Sequence, residues 1–292
     1  MYTSFFSFYT QQEKMNRVTN GVCMILAIIL VLYLYCVNIR YRPTIMLISY
    51  MSTNFKTMFR SLHHDNIIQG KAIYSPPPRE NANQVWICFH GLGGYANRFC
   101  EIRDKVCPKE VNAHVYFYEY PGHGFRYRTS NLGDMETWFL DITSLYYYLK
   151  SIYAKDTTFV FMGFSWGGYI AAAVASSLAI TPSPVDYVLL VGPFSHYTDV
   201  GRMGRLFSSR TTTLLDGLSI PKHDKLHQWH VLFFSSDATI NKHSKHKWGR
   251  LASVTVVEDQ YHYDKKTHNQ ILWSKDYHDW VSKIFSATSL PE

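Results

Sequence analysis

Hydrophobic positions follow two different rhythms along this chain. Near the front, "VCMILAIILVLYLYCV" runs from Val22 to Val37 without a charge or a proline. As a helix this run spans roughly 25 Å, close to the ~27 Å core of a thin bilayer. A cleaved signal peptide would be shorter and end in a small-x-small site, which the following "VNIRYRP" does not offer. A buried core helix would show polar positions on one face. The expectation is therefore a transmembrane anchor over residues 22–39, after a tail over 1–21 and before a juxtamembrane segment over 40–70. A second apolar stretch, "TIMLISYM" from Thr44, is too short to span. It would lie in the interface or pack on the domain.

Past the linker-like "YSPPPRENANQ" the rhythm changes to short apolar runs separated by longer segments. "VWICFH" from Val85, "HVYFYEY" from His114, "TTFVFMGF", "DYVLLVG", "HVLFFSS" and "ASVTVVE" have strand length. Helical stretches are expected over about Asn97 to Val106 and Leu132 to Ile152, in the Ala-rich "WGGYIAAAVASSLA", and in "NQILWSKDYHDWVSKIF". Apolar strands alternating with helices predict a mostly parallel sheet covered on both faces. Its functional residues should gather at the carboxyl ends of the strands. His90-Gly91, Ser165, Asp237 and His262 each come just after a strand-like run.

Composition narrows this only a little. With 47% apolar and 17% charged residues in 292, the chain can bury a large core and is not disordered. The net charge of +7 would suit nucleic acid or an anionic membrane. No basic run is interleaved with stacking aromatics, however, which argues against nucleic acid as a partner. The five cysteines are scattered and odd in number, with no metal spacing, so neither a disulfide framework nor a metal site is expected. Basic residues precede the apolar segment at Lys14 and Arg17 and follow it at Arg40, Arg42, Lys56 and Arg60. That bias leans toward a cytoplasmic C-terminal domain, and the chain has no Asn-x-Ser/Thr acceptor.

The candidate chemistry centres on Gly163-Phe164-Ser165-Trp166-Gly167. A nucleophile at a sharp strand-to-helix turn needs small residues on either side, because side chains there collide with the neighbouring strand and helix. A serine also needs a base, and the base an orienting acid. Asp237 follows "VLFFSS" and His262 follows "VTVVEDQY", in the Ser, Asp, His order this turn keeps. His268, just before the last helix, is the rival base. His262 is preferred because it falls in the loop directly after a strand. Oxyanion donors are expected from the Trp166 N–H, next to the serine, and the Leu92 N–H in "HGLGG".

"HGLGG", "YPGHG", "GFSWGG", "SSDATI" and "EDQYHYD" together resemble the landmarks of an α/β-hydrolase-fold serine hydrolase, from about Ala72 to Phe285. "YEYPGHG" is similar to the lipase and esterase branch that includes monoacylglycerol lipases, where His123 would have a structural role. The resemblance implies an α/β-hydrolase domain over 71–292 with Ser165 as nucleophile, His262 as base, Asp237 as acid, and Leu92 and Trp166 at the oxyanion hole. It implies no cofactor and no metal. The segment from about 195 to 228 corresponds to a short lid. Its Met203, Leu206, Phe207, Leu214 and Leu215 would cover an acyl chain, face the membrane, or form the core of two small helices. The basic "KHSKHKWGR" from Lys242 reads as a solvated face, or else as a contact for anionic headgroups. A membrane-anchored hydrolase of a lipid or other carboxylic ester is the leading expectation. An acyl-protein thioesterase shares the same triad, and a catalytically silent binding domain is the alternative of a different class.

Overall fold

The structure is a computed structural model, and it describes residues 66–91, 94–126, 135–193, 229–235, 253–257 and 267–286, with Asp237, Ile240, Ser244 and Trp248. The expected anchor, the 195–228 segment, Leu92 and His262 all lie outside the described residues. Among the described residues, no helix is long and apolar enough to cross a membrane.

The expected alternation is present. In chain order the elements are β1 (Ile67–Ile68), β2 (Ala72–Ser75), β3 (Gln84–Phe89), α1 (Ala96–Glu101), α2 (Arg103–Val106), β4 (Ala113–Tyr118), α3 (Met135–Ile152), β5 (Thr158–Phe164), α4 (Trp166–Ala179), β6 (Tyr187–Val191), β7 (Trp229–Phe234), β8 (Ser253–Val257), α5 (Thr267–Gln270) and α6 (Lys275–Ser286). They form an eight-stranded sheet in the order β1-β2-β4-β3-β5-β6-β7-β8. The pairs β1–β2 and β2–β4 are antiparallel and every later pair is parallel. This is an α/β-hydrolase fold. Its sheet begins at Ile67, ahead of the expected domain start, because the leading hairpin is too short to show a period of its own. Residue Tyr74, which opens the linker-like stretch, lies in β2 and pairs with Tyr116.

Burial explains which runs became inner strands. Val85, Trp86, Ile87, Cys88 and Phe89 are essentially inaccessible, as are Phe159 to Met162, so both faces of β3 and β5 are covered. One face packs Trp86, Cys88, Val160 and Met162 against Ala96, Phe99, Tyr277 and Trp280. The other packs Phe159 and Phe161 edge-on against Tyr146 of α3. Burying one such aromatic contributes about 1.5–3 kcal/mol. Helix α3 buries Trp138, Ile142, Leu145, Tyr146 and Leu149, an apolar stripe at helical spacing, and leaves Leu140 exposed. Helix α4 is buried on nearly all sides, which is why it is built from alanine and glycine.

Two expected helices are divided. The first breaks at Ile102, where φ/ψ of −110°/30° separates α1 from α2. The last begins as the short α5 and restarts at Lys275 after Ser274, which is extended at ψ 147°. The Ser274 hydroxyl accepts the Tyr277 N–H at 3.1 Å and so starts the new helix.

Candidate active site

The strand order places the site. Chain from β3 runs to β4 on one side, and the chain later returns through β5 on the other side. In open α/β sheets the crevice at such a switch point, beyond the carboxyl ends of the strands, is where ligands bind. His90-Gly91 follows β3, and Ser165 follows β5.

Ser165 sits between β5 and α4 with φ 56° and ψ −117°. A side chain rarely adopts this region, and holding one there costs on the order of 1–3 kcal/mol. The surroundings impose it. The Ser165 N–H donates to the Val191 carbonyl at 2.9 Å, and its own carbonyl accepts the Gly168 N–H at 2.9 Å. The flanking glycines let helix and strands meet this closely. A Cβ on Gly163 would lie 2.3 Å from the Gly167 carbonyl oxygen, and one on Gly167 would lie 2.1 Å from the Phe89 oxygen. The sequence argument for small flanking residues therefore has a direct steric basis, and Trp166 heads the helix immediately after the serine.

Asp237 lies just beyond β7 and is buried. Its Oδ1 accepts the Ile240 N–H at 3.2 Å, and its Oδ2 accepts Nδ1–H of His268 at 2.7 Å. His268 is buried as well, and among the described residues its Nε2 has no hydrogen-bond partner. The imidazole is wedged at the ends of β5 and β6, with its ring 5.0 Å from that of Phe164. Its Cε1 is 3.1 Å from where a Cβ on Gly192 would stand. With Nδ1 committed as a donor, Nε2 of the neutral ring carries a lone pair, and a buried lone pair without a partner calls for a reason. Accepting a hydroxyl proton supplies one.

The histidine that meets Asp237 is thus His268, the rival, whereas His262 lies outside the described residues. Proximity to a strand end favoured His262. What decides the matter is which side chain α5 sets against the strand ends, and spacing along the chain does not reveal that.

A second polar cluster was only partly foreseen. Glu119, at the end of β4, is fully buried. Its Oε1 meets Nε2 of His90 at 2.9 Å, and its Oε2 accepts the Ala96 N–H at 3.0 Å. The "PGHG" turn closes over it so tightly that a Cβ on Gly124 (φ +43°) would stand 1.8 Å from Oε2. His123 packs beside this pair, its Nδ1–H donating to the Pro121 carbonyl at 3.2 Å. Burial, with His90 nearby, pushes His123 down to about 4, so the ring is neutral at pH 7. The signal for Glu119 was available in the sequence: a carboxylate inside an aromatic strand needs a buried partner.

Burial also removes a competing nucleophile, since it pushes the Cys107 thiol up to about 12. Among the described residues, no group of three or more His, Cys, Asp or Glu side chains could hold a metal ion.

Residues 80–274 match the model of the Hydrolase_4 family, described as "Serine aminopeptidase, S33". The chain belongs to this family of α/β hydrolases. No curated protein matches its sequence. Among solved structures, a Pyrococcus furiosus esterase is 10% identical with a TM-score of 0.53, over 78% of this chain and 98% of that one. An alpha-beta hydrolase from Vibrio vulnificus is 16% identical with a TM-score of 0.53, over 84% and 94%. The type II thioesterase BorB of the borrelidin biosynthetic cluster is 14% identical with a TM-score of 0.50, over 77% and 97%. At these identities the likeness concerns the fold. The elements that carry Ser165, Asp237 and His90 in this hydrolase lie inside the matched residues.

Proposed function

We propose that this hydrolase is a serine hydrolase that cleaves a lipid or other carboxylic ester, with Ser165 as nucleophile, His268 as base and Asp237 as acid. The observation that carries the reading is the buried Asp237–His268 hydrogen bond, whose far nitrogen has no partner among the described residues, at the same sheet edge as the strained Ser165 turn. In this scheme Nε2 of His268 takes the Ser165 proton as Oγ attacks the substrate carbonyl. The charge formed on that oxygen is met by the Leu92 and Trp166 N–H groups. On collapse, the leaving alcohol receives the proton from His268 and the acyl group stays on Ser165. Water, activated by the same nitrogen, then releases the acid and restores the serine. Asp237 holds the tautomer and stabilises the imidazolium.

The lipid character of the substrate is supported by the apolar segment over 22–39, which would anchor the enzyme where acyl chains partition, with its catalytic domain on the cytoplasmic face. A monoacylglycerol lipase-like esterase accommodates both features.

The test is labelling of full-length protein in detergent by a fluorophosphonate, wild type against Ser165→Ala. Labelling that disappears in the variant is expected, followed by turnover of monoacylglycerols in preference to acyl thioesters. A folded wild type that does not label would refute the serine mechanism, and a preference for thioesters would replace the ester reading. Deleting residues 1 to about 40 is expected to release activity toward a short-chain ester from membranes. Continued sedimentation with membranes would refute the anchor.

A further inference from the structure

In the proposed mechanism His268 becomes an imidazolium each time it takes the Ser165 proton, and it does so at a buried position. A buried charge is costly unless its neighbours offset it. Asp237 offsets it at the edge of the ring, through Oδ2 at 2.7 Å from Nδ1. The face of the ring is met by Phe164, with the two centroids 5.0 Å apart and the planes 30° from parallel. That separation and tilt belong to an offset stack. An aromatic face attracts a cation held within about 6 Å of its centroid, most strongly where both are desolvated. The attraction is electrostatic, so it strengthens when His268 gains its charge.

Phe164 is held where it stands. It is the last residue of β5, pairs with Val191 of β6, and is itself buried. A Cβ on Gly91 would stand 3.2 Å from its Cδ1, and the Phe99 ring of α1 lies 6.4 Å away, centroid to centroid. The imidazole is enclosed in turn, since a Cβ on Gly192 would stand 3.1 Å from His268 Cε1. Ser165 is the next residue after Phe164. Two successive residues therefore carry the nucleophile and the ring on which the base rests.

We infer that Phe164 is a positioning residue for the base, its ring face holding the His268 imidazole in place and stabilising the imidazolium formed as Ser165 gives up its proton. The inference rests on the serine-hydrolase reading with His268 as base. Phe164 is assigned no contact with substrate, and its effect is greatest when the imidazole is charged, so its loss falls on kcat and not on KM. A desolvated contact of this kind supplies about tenfold or more.

The experiment uses full-length protein in detergent and a soluble p-nitrophenyl ester. Position 164 receives mono-, di- and trifluorinated phenylalanine by nonsense suppression, because fluorine withdraws charge from the ring face with little change in size. Phe164→Leu is measured beside this series. With each added fluorine log kcat is expected to fall, by about tenfold in total, while KM and Tm stay nearly unchanged. The rate of fluorophosphonate labelling should fall in parallel. Phe164→Leu should lose about tenfold or more in kcat. A kcat constant within about twofold across the fluorinated series would make Phe164 a packing residue and overturn the inference, whatever the leucine variant does. A folded Phe164→Leu protein with wild-type kcat would overturn it too, and if that variant does not fold the fluorinated series decides alone. A wild type inert to ester and fluorophosphonate alike, or a His268→Ala variant that keeps turnover, would instead refute the mechanism, and the inference with it.

Discussion

Replacing Asp237 by Asn tests the proposed proton path with almost no change of shape. Among the described residues, Oδ1 of the carboxylate takes the Ile240 N–H at 3.2 Å and Oδ2 takes the His268 Nδ1–H at 2.7 Å. In the variant the amide oxygen must stay on the Ile240 side, because an NH2 there would face another donor. The NH2 then faces Nδ1, which can accept it only by giving up its proton. The imidazole becomes the Nε2–H tautomer, and the nitrogen assigned to take the Ser165 proton is already occupied. The same substitution in the Ser-His-Asp triad of chymotrypsin-like enzymes lowers kcat by about 10⁴, or roughly 5 kcal/mol at 1.36 kcal/mol per decade. KM should change little, because Asp237 is assigned no contact with substrate. Folding should lose only about 1 kcal/mol, the difference between a charge-assisted and a neutral hydrogen bond. That corresponds to a Tm drop of about 2–4 °C. The assay is steady-state hydrolysis of a p-nitrophenyl ester alongside thermal unfolding. A folded Asp237→Asn protein with kcat within tenfold of wild type would refute the tautomer argument and the role given to His268.

His268→Ala should abolish ester turnover whereas His262→Ala should leave most of it; the reverse result, by the same assay, returns the base to His262. Gly167→Ala should destabilise the fold by about 1–3 kcal/mol or more, because its Cβ would stand 2.1 Å from the Phe89 oxygen and α4 must withdraw from β3. Urea unfolding measures the loss, and an unchanged midpoint would contradict the packing described. His123 should make stability fall with acid. Its folded value is near 4 against about 6.5 unfolded, so between those values the unfolded chain binds more protons and stability rises with pH. The contribution is complete above about pH 6.5 and is lost as pH falls toward 4, with an upper bound of about 3 kcal/mol. Urea unfolding at pH 7 and pH 5 should show a smaller difference in His123→Gln than in wild type; equal differences would disprove it.

The fold was legible because its inner strands are buried on both faces, and double burial writes an unbroken apolar run into β3, β5 and β6. Ser165 was legible for a related reason, since the close approach of α4 to β3 and β5 admits only glycine at 163 and 167. The β1–β2 hairpin was not, because so few residues on a sheet edge carry no period. The breaks at Ile102 and Ser274 were hidden because the apolar stripe continues across them.

By itself, then, the sequence determined the layer architecture, the turn that bears Ser165 and the strand end that bears Asp237, all of them consequences of local sterics and burial. Only the tertiary structure decided which histidine meets that carboxylate, because Asp237 and His268 lie far apart in the chain and are joined by how α5 packs against the strand ends. Likewise only the fold brought Glu119 to His90, since a buried charge selects its partner through space and not through spacing.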